Sequence, residues 1–483
     1  MKIVDKSLFG CMFSLVSFAA YAGNDRPNIM LVYIDDLGYC DPSCYGELYG
    51  DHFVETPNID RLAASGVMFT SAYSAAPIST AARVGLLTGQ FPARSGIEFV
   101  TSHERKAVAW HSDKWRKKFE DKRLLPPPLT LNLPLESVTI AEDLKDAGYK
   151  TAIAGKWHVA AHNKVYNGWS EQYGPAQRGF QWTANTFGAF AGESETVDSP
   201  AYPEDELTEK SINFLKQNHK KPFFLYVSHY FVHTPFRVKS EESLEKFRTL
   251  HPEWDDQQVQ YAVYVDRVDH YIGQLLDTLE ETGLDENTIV IFSSDNGGHP
   301  NFSSNKPLRG SKWNLYEGGV RIPMIISYPK MFPQNVSEEF VSQFDLYPTI
   351  MELAEAKASR PLDGSSLMGL LTGEGDKVDK KKTMIWHFPY YHPEGDAYHT
   401  AIDEIGVDDR KVSKTKPQSA IRKGKYKLIY FYEDESYELY DLSKDLSEQN
   451  DLSDKKPALA KSLKNELMEI LHSANARFPE RKD

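Results

Sequence analysis

The sequence predicts an α/β protein in which a large, mostly parallel (mixed) sheet is sandwiched by helices. Three observations predict it: short apolar runs recur along the chain, most end at polar residues, and amphipathic helical patterns separate them. Strands buried on both faces have such continuous runs, and their alternation with helices is typical of a parallel sheet. With 483 residues, 41 % hydrophobic and 26 % charged, the chain can bury a large core, and its composition excludes wholesale disorder.

Five apolar runs are the predicted strands of this sheet, and helical patterns lie between them. The predicted strands are Ile29–Ile34, Tyr149–Ala154, Phe223–Val227, Thr288–Phe292 and Ile322–Ser327. The predicted helices are Thr56–Ser65, Val138–Ala147, Asp205–Gln217, Val259–Thr282 and Phe344–Ala356. We therefore expect one catalytic α/β domain over residues 23–380.

The pattern changes near residue 380, where a second and smaller unit is expected. Thr383–Phe388 is interpreted as a last strand of the main sheet. Three short strands with tight turns between them follow, and a closing amphipathic helix ends the unit: Ser419–Tyr426, Lys427–Tyr432, Tyr437–Leu442 and Pro457–Ala474. Residues 381–483 are thus predicted to form a small antiparallel sheet with a helix.

The N-terminus has the features of a secretory signal peptide. Lys2 and Lys6 give a basic start, Leu8–Ala20 is a short apolar stretch, and Ala20-Tyr21-Ala22 is an A-x-A cleavage site. Residues 1–22 are therefore predicted to be cleaved after Ala22, with the mature chain periplasmic or secreted. No later apolar run reaches the length of a membrane helix, so no stable membrane insertion is expected.

The charge balance bears on possible partners. The net charge of −14 disfavours a general nucleic-acid-binding surface, since phosphate binding needs a positive field. Residues 103–123 are the exception, because basic residues there outnumber acidic ones two to one. This interval fits either a solvated surface insertion or a patch that attracts an anionic polysaccharide.

Polar residues follow four of the predicted strands. They are Asp35, Asp36, Lys156, His158, His233, Asp295 and Asn296. Ligands of open α/β sheets bind outside the carboxyl ends of the strands, so we expect these side chains to meet there. Three carboxylates and one amide form a set of ligands for Ca²⁺ or Mg²⁺ rather than zinc. Cationic neighbours, with Arg83 and Lys312 as further candidates, suit a phosphate or sulfate ester.

Ser79 is the candidate nucleophile. Pro77 precedes it, and the helix-forming run Ala81–Leu87 follows. Ser79 is therefore expected at a helix N-terminus, where backbone N–H groups and the helix dipole favour an anion.

Taken together, these motifs resemble the formylglycine-dependent (type I) sulfatases of the alkaline phosphatase superfamily, in their serine-type form. The family signature, Cys or Ser-x-Pro or Ala-x-Arg followed by Leu-x-Thr-Gly, reads Ser79-Thr-Ala-Ala-Arg83 and Leu86-Leu-Thr-Gly89 here. Most members have Ser where this chain has Ala82. Other strings that resemble the family are Ile34-Asp-Asp-Leu-Gly38, Gly155-Lys-Trp-His158, Val232-His-Thr-Pro235, Ser294-Asp-Asn-Gly-Gly298 and Leu308-Arg-Gly-Ser-Lys-Trp313.

The resemblance implies a mechanism and a role for each matched residue. A serine-type maturing enzyme would oxidise Ser79 to formylglycine, whose hydrate attacks sulfur and then expels sulfate. One Ca²⁺ would be held by Asp35, Asp36, Asp295, Asn296 and the modified Ser79, with Mg²⁺ a less favoured ion. Arg83 and Lys156 would steady the formylglycine oxygens, and His158 would be the base of the elimination step. His233 and Lys312 would contact sulfate oxygens near the leaving group, and one of them would be the general acid.

The resemblance also gives an expected substrate and its contacts. The substrate would be a sulfated carbohydrate, with Arg178, Trp182 and His299 as candidate contacts, because family residues near Gly179 and Gly298 often face the sugar. Two alternatives remain open at this point. One is a phosphomonoesterase or phosphodiesterase of the same superfamily that uses unmodified Ser79. The other is a non-catalytic relative that binds sulfated glycans.

Overall fold

A computed structural model describes residues 26–50, 53–101, 108–161, 169–185, 203–217, 220–303, 305–373, 382–391 and 415–482. The predicted signal peptide, with its cleavage after Ala22, lies outside the described residues. So does the predicted domain boundary between residues 380 and 381. Within the described ranges, no helix is both long enough and apolar enough to cross a membrane.

The main sheet has eight strands and is mixed, as predicted. In spatial order these are β10 (Asn335–Ser337), β2 (Val67–Phe69), β9 (Met324–Ser327), β8 (Thr288–Ser294), β1 (Asn28–Ile34), β7 (Phe223–Ser228), β5 (Lys150–Gly155) and β6 (Trp182–Ala184). The five strands from β8 to β6 are parallel, and β9 is antiparallel to both β8 and β2. The carboxyl ends of β8, β1, β7 and β5 therefore lie side by side along one edge.

The central strand β1 is buried on both faces. Met30, Val32 and Ile34 pack in the core on one side of the sheet. Ile29, Leu31 and Tyr33 pack in the core on the other side. This alternation explains why the strand has a continuous apolar run in the sequence.

Helices surround the sheet close to where the periodicity predicts them. They are α1 (Ser43–Gly46), α2 (Pro57–Ala64), α3 (Ser79–Thr88), α4 (Asp113–Lys118), α5 (Ile140–Asp146), α6 (Pro203–Leu215), α7 (Glu241–Leu250), α8 (Asp256–Thr282), α9 (Glu317–Val320), α10 (Leu346–Leu353), α11 (Met368–Thr372) and α12 (Pro457–Ser473). The longest, α8, begins at a capping box formed by Asp255 and Gln258, and ends at Gly283 in the left-handed conformation. Its bounds thus follow from local sequence signals.

A second, antiparallel sheet lies near the C-terminus. It contains β12 (Thr383–Phe388), β13 (Gln418–Lys423), β14 (Tyr426–Phe431) and β15 (Tyr437–Asp441), and α12 packs on it. The expectation that Thr383–Phe388 belongs to the main sheet is wrong, because this strand pairs antiparallel with β13 along its whole length. An apolar run specifies a strand, but only its partner specifies the sheet.

Two-stranded pairings complete the fold. In one, β3 (Ala72–Tyr73) runs beside β11 (Val341–Ser342). In the other, β4 (Leu124–Leu125) pairs with β16 (Glu480–Arg481) near the end of the chain. The second pairing anchors the basic interval that the sequence singles out.

Candidate active site

Polar residues that follow three parallel strands meet at the carboxyl edge of the main sheet. Asp35 and Asp36 follow β1, Asp295 and Asn296 follow β8, and Lys156 follows β5. The register brings these ends level, since Ile34 lies opposite Ser294 in the β1–β8 pair. Gly155 likewise lies opposite Ser228, the last residue of β7. The polar residues that were expected to meet at the strand ends therefore lie at one edge of the sheet.

Three carboxylates form the centre of the site. Asp35, Asp36 and Asp295 are fully buried, and one oxygen from each lies within 4.8 Å of the others. Asp36 has a left-handed φ of 64°, and its N–H donates to Asp295 Oδ1 at 3.0 Å. The Asn296 amide nitrogen donates to Asp36 Oδ1 at 2.8 Å. The main chain thus turns sharply after β1 to bring both aspartates to the cluster.

Ser79 is the first residue of α3 and lies against these carboxylates, as its predicted position requires. Its hydroxyl donates to Asp35 Oδ1 at 2.9 Å and lies 3.4 Å from Asn296 Oδ1. The Lys156 ammonium lies 3.4 Å from the same hydroxyl. The Ser79 hydroxyl is therefore held between the Asp35 and Asn296 side-chain oxygens and the Lys156 ammonium, at a helix N-terminus.

Each carboxylate has a cationic partner. Lys156 pairs with Asp35, Lys312 pairs with Asp36, and the Arg83 guanidinium lies 3.0 Å from Asp295 Oδ2. Burial raises carboxylate pKa values, but the cations around Asp35, with Lys156 the strongest, together outweigh it and hold the pKa of Asp35 well below its usual range. For Asp295, burial and the charge of Asp35 prevail and raise the pKa to about 7. The site therefore contains one strongly ionised carboxylate beside one that holds its proton more tightly.

Two histidines lie at this edge in different surroundings. His233 is 22 % exposed at its side chain, and its Nε2 lies 3.6 Å from Asp36 Oδ2. Burial and the neighbouring Lys312 lower the pKa of His233. His158, two residues after Lys156, is buried and has a left-handed φ of 52°. His233 thus lies on the solvent-facing side of the cluster, while His158 lies inside.

The sequence analysis missed two residues that position Arg83. Ser228 Oγ accepts from this guanidinium at 2.6 Å, and Tyr226 Oη accepts from it at 3.2 Å. Ser228 ends β7 at the same edge as the other polar residues, which is the signal that could have identified it. Tyr226 lies inside the apolar run of β7, where no sequence pattern separates it from ordinary core.

Two of the predicted substrate contacts, Arg178 and His299, are buried, whereas Trp182 is partly exposed. Arg178 is 1 % exposed at its side chain, and it donates to the carbonyls of Leu133 (3.1 Å) and Ser137 and lies 3.5 Å from Glu142. A guanidinium that donates to these carbonyls holds loops together, and a substrate contact by Arg178 remains a prediction.

The other two candidates lie in aromatic packing. The Trp182 ring lies 5.0 Å from that of Phe214 on edge strand β6. His299 is buried and stacked on Phe302 at 4.2 Å. A substrate contact by either remains a prediction.

The donor set fits a hard divalent cation. Three carboxylates and the Asn296 amide converge as oxygen donors, which is the chemistry that Ca²⁺ and Mg²⁺ prefer. Asp35, Asp36 and Asp295 are balanced in formal charge by Arg83, Lys156 and Lys312. A divalent ion would therefore leave the site net positive, as an anionic ester requires.

Comparison with known proteins agrees with this geometry. The family model described as Sulfatase matches residues 27–356, and one described as N-sulphoglucosamine sulphohydrolase, C-terminal, matches residues 311–475. A sulfatase of Formosa agariphila is 31 % identical, over 97 % of this chain and 93 % of that protein. The N-acetylgalactosamine-6-sulfatase of Canis lupus familiaris is 29 % identical, over 76 % of this chain and 70 % of that protein.

Solved structures have the same architecture. The crystal structure of Ps i-CgsB in complex with k-i-k-neocarrahexaose superposes with a TM-score of 0.74 and 26 % identity. The match covers 94 % of this chain and 95 % of that one. The fold is thus that of an alkaline phosphatase superfamily hydrolase, and the chain belongs to the sulfatase family of that superfamily. Its reaction is the hydrolysis of a sulfuric ester.

Proposed function

We propose that the protein is an exported, Ca²⁺-dependent sulfatase that hydrolyses a sulfate ester of a sulfated carbohydrate through a formylglycine made from Ser79. One observation carries the proposal. The Ser79 hydroxyl lies at a helix N-terminus, 2.9 Å from Asp35 Oδ1 and 3.4 Å from the Lys156 ammonium. A hydroxyl held in that position is placed to act as a nucleophile beside a bound ion.

Asp35, Asp36, Asp295 and Asn296 would hold the ion. Ca²⁺ supplies positive charge beside the reacting sulfate and lowers the basicity of the attacking oxygen. Formylglycine supplies a hydrated aldehyde with two hydroxyls, one for attack on sulfur and one whose deprotonation releases sulfate. Serine has no second hydroxyl on its side-chain carbon, so sulfate would be released from a sulfated Ser79 only slowly.

The side chains around Ser79 would hold and move protons. Lys156 and Arg83 keep positive charge beside the position 79 oxygens, which favours their deprotonated forms. We assign His158 as the base that removes the proton of the second hydroxyl. These three residues are buried, so their charges act with little screening by water.

His233 and Lys312 both approach Asp36, and His233 is the more exposed of the two. We assign them to the sulfate oxygens on the leaving-group side, with one as general acid. A sugar alkoxide is a strongly basic leaving group, so its protonation as it departs lowers the barrier. Burial lowers the pKa of His233, which makes its protonated form a stronger acid.

Two relatives support a carbohydrate substrate. One is named N-acetylgalactosamine-6-sulfatase, and the other was solved in complex with k-i-k-neocarrahexaose. Export fits the predicted cleavage after Ala22, since polysaccharides are met outside the cytoplasm.

The test is the mass of the peptide that contains position 79. The protein would be produced beside a serine-type maturing enzyme, digested and measured. We expect a loss of two hydrogens at Ser79, together with turnover of an aryl sulfate and of sulfated oligosaccharides. The Ser79→Ala variant is the control, and we expect it to fold and to have no activity.

An unmodified Ser79 under these conditions would contradict the formylglycine assignment. Turnover of phosphate esters by that unmodified protein would favour the phosphatase alternative. Binding of a sulfated glycan without turnover would favour the non-catalytic alternative.

A further inference from the structure

A basic surface lies on and just after α4, outside the active site. Its cations are all exposed: Lys114, Arg116, Lys117, Lys118, Lys122 and Arg123. The acidic residues among them are Asp113, Glu120 and Asp121. The Lys482 ammonium donates to the Glu120 carbonyl at 3.0 Å and adds a further cation. A net positive surface on a protein of charge −14 is a local reversal of sign.

The basic surface is firmly seated on the fold. Trp115 points inward and is buried, and its indole N–H donates to the Pro126 carbonyl at 2.8 Å. Ser112 caps α4 by accepting from the Trp115 N–H at 3.2 Å. Directly after the cations, Leu124–Leu125 pairs with β16. The cations are therefore held on a fixed helix, with their side chains directed to solvent.

The part of the chain that carries this surface begins at Thr101 and is joined there to α3, the helix that begins at Ser79 (the nucleophile helix). The Thr101 N–H donates to Thr80 Oγ1 at 3.1 Å, directly beside Ser79. The Thr101 hydroxyl donates to the Leu131 carbonyl at 2.5 Å, which closes the base of the segment. From Arg123 on to Leu131 the chain spans eight residues, at most about 30 Å when extended. The basic surface is therefore close enough to the nucleophile helix for one extended polymer to contact both.

We propose that this basic surface docks the distal part of a long sulfated glycan chain whose terminal or internal ester is at Ser79. The inference rests on the proposed function and specifies the length of its substrate. A sulfated polymer carries repeated negative charges, and each one that pairs with a cation releases counterions. A small sulfate ester would reach Ser79 without touching α4. The surface therefore favours chains over short substrates.

The test removes charge without removing packing. The variant Lys114→Gln/Lys117→Gln/Arg123→Gln changes three exposed side chains, and glutamine retains helix propensity. The matched control is Lys444→Gln/Lys455→Gln/Lys461→Gln, three exposed lysines in the C-terminal part of the chain. Binding of dextran sulfate is measured against salt concentration. Hydrolysis is measured with a sulfated polysaccharide, a sulfated disaccharide and an aryl sulfate.

We expect the α4 variant to bind dextran sulfate about tenfold more weakly, with a shallower salt dependence, and to raise KM for the polysaccharide by a similar factor. Its kcat, and its activity on the disaccharide and aryl sulfate, should match wild type. The control variant should match wild type throughout.

Unchanged binding and unchanged KM for the polysaccharide would overturn the inference. Equal losses on the aryl sulfate would also overturn it, because they would indicate a structural defect. Binding of duplex DNA as tight as that of dextran sulfate would overturn the assignment to glycans. If α4-dependent binding persists while no sulfate ester is hydrolysed, the proposed function fails and the docking surface remains.

Discussion

The strand-end cluster and a second cluster of buried charge differ in how their charges are arranged. In the strand-end cluster, Asp35, Asp36 and Asp295 face one another within 4.8 Å, and their cations approach from outside. The second cluster, which we call the interface cluster, consists of Glu317 on α9, Lys427 on β14 and Glu448. Here the Lys427 ammonium lies between the carboxylates, 2.8 Å from Glu317 and 3.0 Å from Glu448.

The interface cluster is closed around its own ions. Arg321 lies 3.1 Å from Glu317 Oε2, and the Tyr73 hydroxyl donates to that same oxygen at 2.6 Å. The side chains of Glu317 and Lys427 have no exposure, whereas His233 opens the strand-end cluster to solvent. Because opposite charges alternate in this cluster, they neutralise one another and hold α9 to the antiparallel sheet. In the strand-end cluster, by contrast, carboxylates face one another and favour a bound cation between them. This arrangement separates the catalytic cluster from the structural one.

The largest expected effect comes from Asp295→Asn. This change removes one of the three facing carboxylates, so we expect weaker Ca²⁺ binding and a loss of sulfatase activity of at least about 10⁴-fold. Bound metal is measured by elemental analysis, and activity with an aryl sulfate. Glu448→Gln is the matched control, because it removes an equally buried carboxylate from the interface cluster. Full metal content and activity in Asp295→Asn would remove this residue from the site.

Lys427→Met should have the next largest effect, and on stability rather than chemistry. It leaves Glu317 and Glu448 buried without their shared cation, which costs about 3–5 kcal/mol of unfolding free energy. Chemical denaturation measures the loss. Lys425→Met is the control, since Lys425 is exposed and its pairing with Asp441 at 2.7 Å lies at the surface. If both variants unfold at the wild-type midpoint, the interface cluster does not stabilise the fold.

Chelation of metal should give a smaller effect that separates the two clusters. With Ca²⁺ at a hundredfold excess over Kd, its binding to the native state adds about 3 kcal/mol to the unfolding free energy. Chelation removes the ion, so the unfolding free energy should fall by that amount. Wild type and Glu448→Gln should lose stability alike, and Asp295→Asn should lose much less. Chelation without effect on wild-type stability would mean that the strand-end cluster holds no structural ion.

The sequence predicted the strand-end cluster better than the interface cluster, for a physical reason. Asp35 and Asp295 follow apolar strands of a parallel sheet, so a local pattern and one topological rule place them together. Glu317, Lys427 and Glu448 come from a short helix, a strand and a loop that meet only in the finished fold. Nothing in the spacing of these residues indicates the contact.

The same limit explains what the local patterns did not indicate. The run Thr383–Phe388 was correctly predicted as a strand, but its sheet depended on a partner thirty to forty residues away. The burial of Arg178 against the Leu133 and Ser137 carbonyls is likewise set by tertiary packing, which no spacing in the sequence indicates. Local signals therefore predict elements and strand-end residues, while side-chain partners across the fold escape them.

The smallest expected effect is the pH dependence that Glu448 gives the interface cluster. Burial raises the pKa of Glu448 to about 7, against the opposing charge of Lys427, whereas an unfolded glutamate titrates near 4.3. Between these values the folded chain holds the proton more tightly. The contribution of Glu448 to stability is thus fully present below about pH 4.3 and is lost as the pH rises through 7.

Glu448→Gln removes this titration and can still accept from the Glu317 N–H, as Glu448 Oε2 does at 2.6 Å. The unfolding free energy of wild type relative to this variant should therefore fall by about 2 kcal/mol from pH 4.5 to pH 7.5. Each unit between the two pKa values corresponds to about 1.4 kcal/mol. The full difference is not reached, because Glu448 is coupled to Glu317 and the two residues share the titration. Denaturation at both pH values measures the difference. A difference that stays constant would mean that Glu448 is ionised throughout. The cations around Glu448 would then together outweigh burial, as those around Asp35 do, and the two clusters would follow the same electrostatic rule.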